Sequence, residues 1–222
     1  MSGTARCRLS WAQTSTRGSL EPRVTMSNHE HDERNTTPAD GALVGDWSPH
    51  EAELLIEAGI FTLRKIRAAS PTEPSKVGEF VYIDAPDWVN VIALTDDDRV
   101  VLIEQYRHGI GAVTLEIPGG MVDAGEDGTT AGVRELAEET GYTGDDVQVI
   151  GTVTPNPAIL NNICTTLLVR NARRTGEPDL DAMEEIAVRL EPLERIPGLI
   201  RAGKINHSLV LAAFHFLELL ER

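Results

Sequence analysis

The chain has 222 residues, 41% of them hydrophobic, and a formal net charge of −15 at neutral pH. That length holds one substantial core, or one catalytic domain with a small appendage. The acidic balance argues against a nucleic-acid binder, whose footprint is basic, and no apolar run reaches the length of a membrane span. Cys7 and Cys164 are too few and too far apart for a disulfide framework or a zinc site, so a soluble protein of the reducing cytoplasm is expected.

Residues 1–45 carry five basic and five acidic side chains, so the whole acidic excess lies in 46–222. This first stretch lacks a sustained apolar period and reads as a disordered tail, with Met26 as an alternative start. Order is expected from Trp47 onward. Residues 50–58 read as a short helix, and 61–68 and 79–83 as strands around a Pro/Ser/Gly loop. The β-branched runs 89–94 and 100–105 are joined by Thr-Asp-Asp-Asp-Arg, a hairpin signal. A strand over 114–117 leads into Pro118-Gly119-Gly120, whose glycines permit a sharp turn and close approach to a ligand.

A helix is predicted over 129–140, with Gly141 as its left-handed cap. Gly132 inside it costs about 1 kcal/mol relative to Ala. Further strands are predicted over 147–153, 164–170 and 185–190, and Pro197 opens a short helix ending near Gly203. In the closing helix, Leu209, Ala212, Ala213, Phe216, Leu217 and Leu220 recur at helical spacing. Strands interleaved with helices predict an α/β domain over 88–222, its sheet covered on both sides. A small strand-containing segment over 46–87 precedes it.

The segment with the most chemistry lies between Gly120 and Tyr142. Glu135, Glu138 and Glu139 stand at i, i+3 and i+4, which places three carboxylates on one helical face. Their mutual repulsion, roughly 0.2–0.5 kcal/mol per pair on a helix, is relieved by a divalent cation. Oxygen ligands in this number suit Mg²⁺ or Mn²⁺, ions that polarise phosphate oxygens and activate water.

Gly120, Glu126, Arg134, Glu135, Leu136, Glu138, Glu139, Gly141 and Tyr142 together resemble the Nudix box. The resemblance implies an α/β/α sandwich with a mixed sheet. Glu104-Gln105-Tyr106-Arg107, Leu115-Glu116-Ile117-Pro118-Gly119-Gly120, and Pro157 sixteen residues after Gly141 are similar to the ADP-ribose pyrophosphatase branch. Ala158 departs from the glycine usual after that proline.

By this resemblance, Glu135 and Glu139 are the main metal ligands, joined by the Gly119 carbonyl. Glu138 is either a further ligand or the base that orients water. Arg134 holds the acidic cluster in register, and Glu126 supports it from the loop. Gly120 and Gly141 serve backbone geometry. Glu184, ahead of the Ile186-Ala187-Val188 strand, matches a loop carboxylate that reaches a metal. The neighbouring base position of some relatives falls on Ala182, which leaves Asp181 or Glu138 for that role. Arg107 either holds a phosphate or makes a salt bridge, and Glu116 either faces the site or braces the Pro-Gly-Gly turn. Trp47 and Trp88 read as packing aromatics ahead of adenine-stacking ones, and His108 and His207 as ordinary surface histidines.

The expected reaction is metal-dependent hydrolysis of a nucleoside diphosphate sugar, foremost ADP-ribose, to AMP and ribose 5-phosphate. Two alternatives stand beside it: another nucleotide substrate, such as a damaged nucleoside triphosphate, and a nucleotide-binding module without turnover. The resemblance also implies a homodimer paired through the segment 46–87, whose Leu54, Leu55, Ile56, Ile60, Phe61, Leu63 and Ile66 need a covering surface.

Overall fold

The computed structural model describes residues 44–220. The expectations for residues 1–43, with Cys7 and Met26, lie outside the described residues. Strands β1 (Ser48–Glu57), β2 (Thr62–Ala69) and β3 (Val77–Asp84) come first, then β4 (Trp88–Ala93), β5 (Arg99–Arg107), β6 (Ala112–Glu116) and β7 (Gly119–Met121). Helix α1 (Gly128–Thr140) is followed by β8 (Tyr142–Thr143), β9 (Asp146–Val153), β10 (Cys164–Arg170), β11 (Arg173–Arg174) and β12 (Ile186–Pro192). Helices α2 (Ile196–Arg201) and α3 (Ser208–Leu220) close the chain.

Alternation of side chains across the strands builds two cores. In β4, Val89, Val91 and Ala93 point to one face, where they join Leu167 and Val169 of β10 against Ala131 and Leu136 of α1. Ile92, Leu94 and Leu168 point to the other, against Val210, Ala213, Phe214 and Leu217 of α3 and Ile196 of α2. Period-two strands between helical faces give three layers, α/β/α. The strands form the sheets β7-β4-β10-β9 and β12-β5-β6, with a short β11-β8 ladder. The sheet is mixed, because β10 runs parallel to β4 while its other neighbour, β9, is antiparallel. Ahead of it, β1, β2 and β3 form a separate antiparallel sheet.

Three expectations are corrected. Residues 50–58 are not a helix, because β1 pairs with β2 over their length. Glu53 stands directly opposite Lys65, with an ion pair of 2.8 Å between them. Such cross-strand pairing and the ladder outweigh the favourable helix propensity of Glu, Ala and Leu. The 89–94 and 100–105 runs do turn at Thr95–Arg99, but they share a single bridge, Leu94 to Val100. Their edges are taken by other strands, β7 and β10 beside β4, and β12 and β6 beside β5, so the hairpin opens into two sheets. In α3 the buried stripe is Leu209, Val210, Ala213, Phe214 and Leu217, whereas Leu220 is exposed. No helix among the described residues is long and apolar enough to cross a membrane.

Candidate active site

Local chemistry sets the ends of α1 and therefore the direction of its acidic face. Asp127 caps the helix: its Oδ1 accepts from the Thr129 and Thr130 N–H groups at 2.9 and 3.0 Å. Gly141 ends it at φ 72°, and a Cβ there would meet the Gly176 carbonyl oxygen at 2.3 Å. Strand β7 crosses close to this helix. A Cβ on Gly119 would lie 2.2 Å from the Val89 carbonyl oxygen, and one on Gly120 2.5 Å from the Glu135 carboxyl carbon. Gly120 therefore makes room for a carboxylate as well as shaping the turn.

Arg134 gathers three carboxylates. Its Nε and Nη2 donate to Glu126 Oε1 and Oε2 (3.1 and 3.0 Å), and its Nη1 to Glu135 Oε1 (2.8 Å) and Glu138 Oε2 (3.1 Å). Nη2 also reaches the Met121 carbonyl. The bonds to Glu126 first, then to Glu135 and Glu138, raise the guanidinium pKa far above its ordinary value, against the effect of burial. Glu126 is correspondingly lowered by Arg134.

Glu139 stands apart from this network. It is 4% exposed, and its Oε2 accepts from the Gly119 N–H at 2.9 Å. Burial pushes its carboxyl up to about 8; the Gly119 hydrogen bond opposes this, and the charges of Glu135 and Glu184 add to it. Burial also raises Glu135, which Arg134 only partly offsets.

A second polar group lies at the floor of an open cleft of about 730 Å³, bordered by Arg107, Glu116, Gly119, Gly120, Trp88 and His207. Glu116 is 3% exposed and accepts from Arg107 Nε and Nη2 (3.0 and 2.9 Å) and from Thr114 Oγ1 (2.6 Å). His207 Nδ1 lies 2.9 Å from its Oε2. Burial alone would raise the Glu116 carboxyl; the bonds to His207, Arg107 and Thr114 prevail and hold it well below the usual range. Arg107 is raised despite desolvation, by Glu116 and by the charges of Glu139 and Glu184. That mutual influence of Arg107 and Glu139 joins the cleft to the acidic helix.

Other predicted residues are more loosely placed. Glu184 is exposed on a turn whose Asp181 N–H reaches its Oε2 at 3.2 Å, close enough for its charge to act on Glu135 and Glu139. Pro157 sits in the exposed loop between β9 and β10 and does not border the cleft. Trp47 meets the Phe80 ring edge-on at 5.4 Å, whereas Trp88 borders the cleft. Among the described residues, no three His, Cys, Asp or Glu side chains are arranged as a preformed metal cage. The donor chemistry nevertheless suits a hard cation: Glu135 and Glu139 are largely buried oxygen donors whose anionic forms burial disfavours. A divalent charge beside them would reverse that penalty.

Sequence reasoning passed over Asp127 and read His207 as an ordinary surface histidine, whereas it borders the cleft against Glu116. Asp127 had a local signal, an acidic residue just ahead of Gly128-Thr129-Thr130 at the helix start. His207 had none, because its partner Glu116 lies 91 residues away.

A NUDIX domain model matches residues 86–214, more than half of the chain. The methanol dehydrogenase activator of Bacillus methanolicus is 28% identical over 137 residues, 61% of this chain and 74% of that protein. The ADP-ribose pyrophosphatase of Bacillus subtilis is 28% identical over 147 residues, 66% of this chain and 80% of that protein. A solved structure titled as an ADP compounds hydrolase superposes with a TM-score of 0.70 at 18% identity, covering 79% of this chain and 94% of the other. That last likeness is one of fold.

Proposed function

The chain belongs to the Nudix family, and on that premise we propose that it is a pyrophosphohydrolase of nucleoside diphosphate sugars, with ADP-ribose as substrate. The observation that carries this reading is a cleft bordered by the Arg107 guanidinium and by Gly119 and Gly120, the two residues packed against the buried carboxylates Glu139 and Glu135, with the Glu139 charge acting on Arg107. The likeness to the Bacillus subtilis ADP-ribose pyrophosphatase supports the choice of substrate.

In this reading Mg²⁺ or Mn²⁺ is held by Glu135, Glu139, Glu184 and the Gly119 carbonyl. When bound, it screens the diphosphate from the carboxylates and polarises the phosphate oxygens. Arg107 binds a phosphate through the N–H groups that Glu116 leaves free. Glu138, half exposed and oriented by Arg134 Nη1, takes a proton from the attacking water. The water oxygen bonds to phosphorus as the bridging P–O bond breaks, releasing AMP and ribose 5-phosphate. Arg134 acts through the carboxylates it holds. The β1–β3 sheet pairs two copies into a homodimer in the cytoplasm.

A panel of ADP-ribose, other diphosphate sugars and nucleoside triphosphates, each assayed with Mg²⁺ and with Mn²⁺, tests the proposal. AMP and ribose 5-phosphate as the products of the fastest reaction support it. Preferred release of inorganic pyrophosphate from a triphosphate refutes it.

A further inference from the structure

The Glu116 carboxylate has no capacity left for a ligand. Oε1 accepts from Arg107 Nε and Thr114 Oγ1, and Oε2 from Arg107 Nη2 and His207 Nδ1. A carboxylate offers about four acceptor sites, and four donors fill them. Its partners do keep free capacity. Arg107, 42% exposed along its side chain, retains the Nη1 hydrogens and one on Nη2. An ionised carboxylate only accepts, so the His207 nitrogen beside it carries a proton. In the uncharged form of the ring, Nε2 is then the acceptor. His207 borders the cleft together with Asn206 and Ser208.

Resting on the function proposed above, we infer that His207 reads the sugar beyond the diphosphate, the one ADP lacks: its Nε2 accepts a hydrogen bond from a hydroxyl of that sugar while Arg107 holds the adjoining phosphate. A neutral imidazole acceptor cannot bind a diphosphate directly, since phosphate oxygens are acceptors too. It needs a donor. Glu116 keeps Arg107 and His207 side by side, so that donor lies within a few bonds of the phosphate. Sugar hydroxyls meet this condition, whereas the amine of a nucleobase lies across the ring from its ribose. Glu116 is then a positioning residue that sets the guanidinium and the imidazole for two neighbouring parts of one ligand. A site built to pair with a hydroxyl discriminates strongly against ligands that lack one there. The ribose of a bare nucleoside diphosphate carries hydroxyls too, but on the other side of its phosphates; with His207 on the sugar beyond the diphosphate, only a diphosphate sugar fills this position.

Two substitutions separate contact with the ligand from support of Glu116. His207→Asn keeps a side-chain N–H near the Nδ1 position but removes Nε2; His207→Ala removes both. Affinities for ADP-ribose and for ADP are measured by calorimetry at pH 8 with Mg²⁺, on a Glu138→Gln background that lacks the proposed base and keeps the metal ligands, so that turnover is not needed. Both substitutions are expected to weaken ADP-ribose at least tenfold and to leave ADP within twofold. Full ADP-ribose affinity in the Asn variant would mean that His207 acts only through Glu116, and would overturn the inference. So would an equal loss for ADP and ADP-ribose, or no loss in either variant. Wild-type protein that binds ADP-ribose with this selectivity but hydrolyses none overturns the proposed function and leaves the inference standing. Failure to bind ADP-ribose at all overturns both.

Discussion

The Gly119 N–H donates to Glu139 Oε2 at 2.9 Å, joining the turn after Pro118 to a helix side chain twenty residues later. This bond stabilises the Glu139 anion, yet burial prevails and its carboxyl titrates at about 8. The carboxylate on which the proposed metal site depends is therefore a liability to the metal-free fold.

Glu139→Gln is accordingly expected to lower turnover at least a hundredfold while stabilising the metal-free protein. The sign follows from linkage: the folded pKa lies above the ordinary value of 4.5, so stability is full below that value and declines as pH rises toward about 8. Melting temperatures in EDTA should fall between pH 5 and pH 8 for the wild type, and fall less for the variant. Near wild-type turnover at saturating Mg²⁺ would remove Glu139 from the metal site.

Arg107→Ala removes two of the four bonds that satisfy a buried carboxylate, so it should cost about 2–3 kcal/mol of stability as well as weaken substrate binding. The Glu116 carboxyl is lowered in the fold, so its contribution is present above the ordinary glutamate range and lost as pH falls below it. Glu116→Gln should therefore flatten the acid limb of the stability profile, as chemical denaturation from pH 3 to pH 6 would show.

Gly132→Ala offers a test of packing against propensity. Helix propensity favours alanine by about 1 kcal/mol. The new Cβ, however, would lie 2.4 Å from Leu167 Cδ1 and 2.9 Å from Val89 Cγ2, both on fully buried side chains. Overpacking should win, with a net loss of about 1–3 kcal/mol. A higher melting temperature would show that Leu167 can move aside.

The β1–β3 sheet exposes Leu54, Ile56, Phe80 and Val81, with 50% of Leu54 and 55% of Ile56 accessible. An exposed apolar group of this kind marks an interaction surface, and a second copy of the chain is the proposed cover. Light scattering at micromolar concentration should report a dimer, and Leu54→Asp combined with Ile56→Asp a monomer. A fully active wild-type monomer would exclude the dimer without touching the catalytic assignment.

What was legible in the sequence is what local chemistry controls. The spacing of Glu135, Glu138 and Glu139 sets three carboxylates on one face of any helix, and Gly141 can end that helix in a conformation that other residues resist. The runs in β4, β5 and β10 are apolar enough to be strands wherever they pair. Contacts between distant segments decided the rest. The stretch at 50–58 is helix-compatible taken alone, and only the ladder with β2 makes it β1. Gly132 reads as a defect in α1 until β4 and β10 press against it. Arg134 brings Glu126 to the helix from the preceding loop, and Glu116 and His207 meet only because α3 packs on the sheet that carries β4. Backbone propensity and side-chain periodicity act over a few residues, whereas burial and the filling of a carboxylate's acceptor sites depend on which segments the fold brings together.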